Sequence, residues 1–77
     1  IMAKSIDQEA LQTLLEAQAV REARANRIEA GWCLSVRLGM GWHPIRSRRE
    51  AVRTWASLTA IGKFCDSVGI KELNVEL

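Results

Sequence analysis

Tyrosine is absent from these 77 residues, phenylalanine, proline and histidine occur once each, and cysteine occurs twice. With so few aromatic alternatives, a small core is expected to draw on all three tryptophans, Trp32, Trp42 and Trp55. Cys33 and Cys65 are too sparse for the disulfide scaffold of a small secreted protein. A structural zinc site needs four ligands, usually in close pairs, and Cys33, Cys65 and His43 have no such spacing. We therefore expect no metal and read both thiols as small buried hydrophobes. No apolar run reaches about 18 residues, so no membrane-spanning helix is expected. Nor is there a signal-peptide pattern; Met2, behind Ile1, reads as the natural start, and Ile1 is left out of the fold reading. These absences point to a cytoplasmic, reduced protein.

Catalytic signatures are missing too. Gly39-Met40-Gly41 lacks the strand–GxGxxG–helix context and the GK[ST] of a phosphate loop. His43 adjoins Pro44, and no partner that would orient it as a base is identifiable. The expectation is a protein without catalytic residues or cofactors.

Acidic residues are scarce in the middle of the chain. Residues 31–63 carry Arg37, Arg46, Arg48, Arg49, Arg53 and Lys63 against Glu50, a net +5. Residues 1–30 sum to −1 and residues 64–77 to −2, so the overall +2 conceals a polar molecule. The charge gathers between Trp42 and Trp55, in GWHPIRSRREAVRTW.

Seventy-seven residues make one domain with a marginal core, burying roughly 60–65% of the unfolded surface. A hydrophobic content of 48% nevertheless excludes wholesale disorder. Residues 5–29 read as one long helix: Ser5 with Gln8 fits a capping box, alanine is abundant, and neither Gly nor Pro interrupts. Ile6, Leu11, Leu14, Leu15 and Ala19 form its apolar stripe, while Arg21, Arg24 and Arg27 recur every three residues. From Trp32 to Leu38 the period becomes two, predicting a strand that turns through 39–41. A second strand is expected over 42–47, weakened by Pro44, then a polar turn at Arg48-Arg49-Glu50 and a third strand over 51–55. Ser57 predicts the N-cap of a helix over 58–68, and Gly69 its left-handed stop. Leu73, Val75 and Leu77 alternate with polar residues as a last strand, expected beside strand 32–38. The result is an α+β domain of order α-β-β-β-α-β, a small, mainly antiparallel sheet of three to four strands with the second helix packed on it.

A helix of about 25 residues is longer than one small sheet can cover. Its stripe of Ile6, Leu11, Leu14 and Leu15 is therefore expected to hold a homodimer. Arginine's planar fork suits phosphate oxygens, and a two- or three-stranded ribbon fits the major groove of DNA. Arg46, Arg48, Arg49 and Arg53 are the candidate nucleic-acid contacts, Arg37 and Lys63 peripheral ones, and Trp42 a base-stacking side chain. A solvated edge would also carry charge, to resist aggregation, although such surfaces usually mix both signs. Trp32 and Trp55 read as core, whereas Trp42 fits either role.

The stretch Trp42-His43-Pro44-Ile45-Arg46-Ser47-Arg48-Arg49 resembles small partition-associated accessory proteins carried on bacterial plasmids (ParC-like). The likeness continues through Arg53-Thr54-Trp55-Ala56-Ser57-Leu58 and Gly69-Ile70 to the terminal strand, covering residues 32–77. It implies a role in plasmid maintenance and carries no catalytic signature. Three strands followed by a helix are also similar in architecture to the arm-site DNA-binding domains of phage integrases, apart from the first helix and last strand here. The order α-β-β-β-α matches double-stranded-RNA-binding domains, but residues 57–60 lack their lysine cluster. Two readings remain open. One is a DNA-associated accessory or regulatory protein of a plasmid or phage; the other is a homodimeric module whose basic face binds an acidic protein partner.

Overall fold

The computed structural model describes residues 5–77. The expectation about Met2 as the start lies outside the described residues. The fold is α+β, with two helices and a mixed sheet of five strands. Its elements are α1 (Gln8–Glu16), β1 (Glu22–Ile28), β2 (Gly31–Leu38), β3 (Gly41–Pro44), β4 (Thr54–Trp55), α2 (Leu58–Val68) and β5 (Asn74–Glu76).

The largest departure from expectation is at the N-terminus. The helix expected over 5–29 stops at Glu16, Gln18 turns the chain with a φ of 58°, and β1 takes residues that had read as helix. Asp7, rather than Ser5, is the N-cap, its carboxylate accepting from the Ala10 N–H at 2.8 Å. In β1 the pattern Ala-Arg-Ala-Asn has period two, with Ala23 and Ala25 buried and Arg24 and Asn26 on the other face. Alanine's helix preference hid this alternation, and seven antiparallel pairs with β2, from Glu22↔Arg37 to Ile28↔Gly31, override it.

The order β3-β2-β1-β5 makes β2 and β1 central, and β4 shares the β3 side of β2. The last strand therefore lies parallel to β1, through Arg24↔Asn74 to Asn26↔Glu76, and not beside residues 32–38 as expected. The expected strand 42–47 ends at Pro44, and the expected strand 51–55 shortens to Thr54–Trp55. Beyond β3, Ile6 adds a parallel bridge to Ile45: its N–H donates to the Pro44 carbonyl, and its own carbonyl accepts from the Arg46 N–H, both at 2.9 Å. Pro44, unable to donate, thus still accepts.

Helix α2 follows expectation. The Ser57 hydroxyl accepts from the Ala60 N–H at 3.2 Å, Gly69 is left-handed at φ 99°, and the Ile70 N–H closes onto the Cys65 carbonyl. Both helices cover one face of the sheet, where Leu11, Ile61, Phe64 and Cys65 pack with Ala23, Ala25, Leu34, Val36, Ile45 and Trp55. The proposed homodimer stripe is largely internal: Leu11 is fully buried, Ile6 nearly so, and Leu14 and Leu15 lie partly buried against the same core. A nine-residue helix is short enough to be covered by its own sheet and α2, so the physical reason for that dimer falls away.

Candidate functional site

Backbone geometry first places the arginines. β3 runs along β2 as far as Pro44, the Ile45 N–H still reaches the Leu34 carbonyl at 2.9 Å, and the chain then leaves the sheet. It returns at Arg53, whose N–H donates to the Ile45 carbonyl at 2.8 Å, and resumes pairing with β2 at Thr54↔Cys33 and Trp55↔Trp32. Residues 46–52 thus form a loop cinched at its base. Within it the Ser47 N–H donates to the Glu50 carbonyl at 3.1 Å, and the Glu50 N–H to the Ser47 hydroxyl at 3.0 Å. This pair makes the polar turn read at Arg48-Arg49-Glu50.

Arg46, Arg48 and Arg49 are exposed on this loop. Among the described residues, no carboxylate forms an ion pair with them. Arg46 is steadied by its Nε donating to the Ser47 carbonyl at 3.3 Å. The loop faces the start of α1 across a cleft of about 560 Å³, where Arg46, Arg48 and Arg53 oppose Asp7, Glu9 and Gln12. The acids are at this helix end because negative charge stabilises the positive end of the dipole. That places carboxylates within the field of the arginine loop.

The remaining candidates lie elsewhere. Arg53 is half-buried, its guanidinium 4.8 Å from the Trp55 ring centroid and 5.0 Å from that of Phe64, so it roofs the core as well as lining the cleft. Trp55 and Phe64 are themselves in ring contact at 5.2 Å. Arg37 sits on the helix-free face of the sheet, 3.3 Å from the Glu22 carboxylate, and also donates to the Gly39 carbonyl. Lys63 is exposed on α2, in the helix layer. The +5 segment is therefore spread over a loop, a sheet face and a helix, and does not form one surface.

Trp42 shares the helix-free face, opposite Arg37. Arg24 reaches across β2 and lays its guanidinium 4.0 Å from the Trp42 ring centroid. Its Nη1 lies 3.4 Å from Glu76 and its Nε donates to Asn26 at 3.2 Å, while the Asn26 amide donates to Glu76 at 3.1 Å. Sequence reasoning missed this Arg24–Asn26–Glu76 cluster because it put Arg24 on a helix. The alternation Ala23-Arg24-Ala25-Asn26 was the available signal. Trp32 packs partly buried against the core and Trp55 within it.

Cys65 is buried on the core-facing side of α2, whereas Cys33 lies half-buried on the helix-free face, so the sheet stands between the thiols. Burial, and secondarily the charge of Asp66, pushes the Cys65 thiol above its ordinary value. His43 lies opposite Val36 at the helix-side margin of β3. No helix among the described residues is long and apolar enough to cross a membrane. No protein-family model matches this chain, and neither a curated protein nor a solved structure matches it.

Proposed function

We propose that this chain is a non-enzymatic, cytoplasmic DNA-associated accessory or regulatory protein of a plasmid or phage, contacting phosphates through the loop 46–52. The observation that carries the reading is the presence of three exposed arginines, Arg46, Arg48 and Arg49, without carboxylate partners among the described residues, on one loop with a fixed base. Unpaired guanidinium groups on a projecting loop reach phosphate oxygens at no cost in broken ion pairs. Arg53 supports the loop from its place on Trp55, and Arg37, Lys63 and Trp42 belong to other surfaces. The resemblance of residues 32–77 to partition-associated plasmid proteins gives the biological setting of the proposal.

The test is fluorescence anisotropy of a labelled random-sequence duplex titrated at low and moderate salt. Affinity that falls steeply with salt is expected, and each arginine-to-alanine change in the loop should reduce the logarithmic salt slope by about one. A slope unchanged in the Arg46→Ala, Arg48→Ala, Arg49→Ala triple variant would sink the assignment.

A second reading draws on the cleft, where the arginines already oppose Asp7 and Glu9 and so accept acidic side chains as neighbours. In that case the loop binds an acidic protein in a plasmid maintenance or transfer complex. Co-purification that survives nuclease, together with no DNA binding at low salt, would favour it.

A further inference from the structure

The two margins of the sheet differ. On the β3 side the edge is partly closed by the Ile6 bridge and by the loop 46–52. On the other side β5 is terminal: it pairs with β1, and among the described residues nothing pairs with its outer side. An open edge offers unpaired N–H and C=O groups to another strand, and proteins usually guard it with charge. Here the guard is weak. The Glu76 carboxylate is already held by Arg24 at 3.4 Å and by Asn26 at 3.1 Å. Beside it Val75 is 43% exposed and Leu77 95% exposed.

We propose that a second copy of this chain docks on this edge, β5 against β5, antiparallel about a two-fold axis through Val75. Of the axes that pass through a residue of β5, only the one at Val75 makes the edge complementary to itself. Residues directly opposite in an antiparallel pair share a face, so helix layers on the same side of a joined sheet require a two-fold at a residue. An axis at Val75 sets Leu73 against the partner's Leu77, Val75 against the partner's Val75, and Asn74 against the partner's Glu76. The apolar row then falls on the helix side, where Leu73 already packs on the core, and the amide–carboxylate pairs fall on the other face. An axis at Glu76 would oppose two carboxylates directly, and one at Asn74 would set Glu72 against the partner's Glu76. Like charges facing each other destabilise such a pair. The occupant is therefore a second copy, because the edge supplies its own complement.

Sedimentation up to about 1 mM, the range of a weak contact, tests this independently of DNA binding. The wild-type mass is expected to rise towards twice 8.6 kDa. Val75→Lys and Val75→Glu should each remain at 8.6 kDa, and an equimolar mixture should regain the doubled mass. Leu77→Lys, outside the strand and so without risk to the β1 pairing, should weaken the dimer as well. Met40→Lys, fully exposed at the β2–β3 turn, should not. Three results would overturn the proposal: a wild-type monomer at the highest concentration, an undiminished dimer in the Val75 variants, or a mixture that stays monomeric. A monomer would leave the edge to an extended segment of another protein.

Discussion

Arg53 and Arg46 carry the same group into opposite circumstances. Arg53 lies over Trp55 and Phe64, while Arg46 is exposed on the loop and touches no ring among the described residues. Arg53→Ala is expected to lower stability by about 0.5–1 kcal/mol through loss of the cation–π contact and its cover. Arg46→Ala should stay within about 0.5 kcal/mol of wild type yet reduce the salt slope of DNA binding. Denaturant midpoints and anisotropy on the same two proteins separate the roles. Cys65 adds a pH dependence. Its pKa is raised by burial and then by Asp66, so the folded thiol keeps its proton where the unfolded one, at 9.0, begins to lose it. The unfolded state then binds fewer protons, so this contribution to stability is intact below pH 9.0 and is lost as pH rises through the folded value. Urea midpoints compared at about pH 8 and about pH 10 should fall further in wild type than in Cys65→Ala.

At the scale of elements, the joint between α1 and β1 bears most on the fold. Gln18 adopts a φ of 58°, which glycine adopts without strain and glutamine does not. Gln18→Gly is expected to raise stability by about 0.5–1 kcal/mol, while Gly69→Ala, at φ 99°, should lower it by a similar amount. Thermal melts of both variants check the signs. This joint is also where sequence reasoning failed. A helix stop normally announces itself by glycine or asparagine, and Ala17-Gln18-Ala19 offers neither. The β1 alternation uses alanine as its buried residue, too small to stand out from a helical background. By contrast α2 was legible because Ser57 and Gly69 bracket a five-residue apolar face, and β2 because Trp32, Leu34, Val36 and Leu38 are large. Misreading β1 moved the last strand to the wrong neighbour and made a dimer surface of residues that belong to the core. Of the candidate site, the exposure of Arg48 and Arg49 followed from their place in a polar turn, whereas Arg46 falls in the expected strand 42–47, which in fact ends at Pro44. Arg53, expected among the nucleic-acid contacts, lies instead over Trp55 and Phe64. The pairing of Arg37 with Glu22, and of Trp42 with Arg24, required β1.

For the whole molecule, charge in the sequence and charge in space are different maps. The basic middle is divided, and the acidic start of α1 is folded back towards the arginine loop. Glu9 is exposed and is not the cap, so Glu9→Gln removes a charge and leaves the Asp7 bond to Ala10 in place. Duplex affinity of Glu9→Gln is expected to increase a few-fold at low salt, with the gain shrinking as salt screens the cleft; an affinity equal to wild type would show that α1 does not act on the loop. One feature of the chain's path reaches beyond any single contact. β3 and β4 follow the same side of β2, resuming at Cys33 where the first left off at Leu34, so they amount to one strand interrupted by residues 46–52. The two attachment points are already joined to each other through Ile45 and Arg53, and doubling the length between them costs only about 0.6 kcal/mol. The segment is thus a cassette: a different peptide, longer or oppositely charged, can be exchanged into the same socket while the strand register and the core beneath remain as they are.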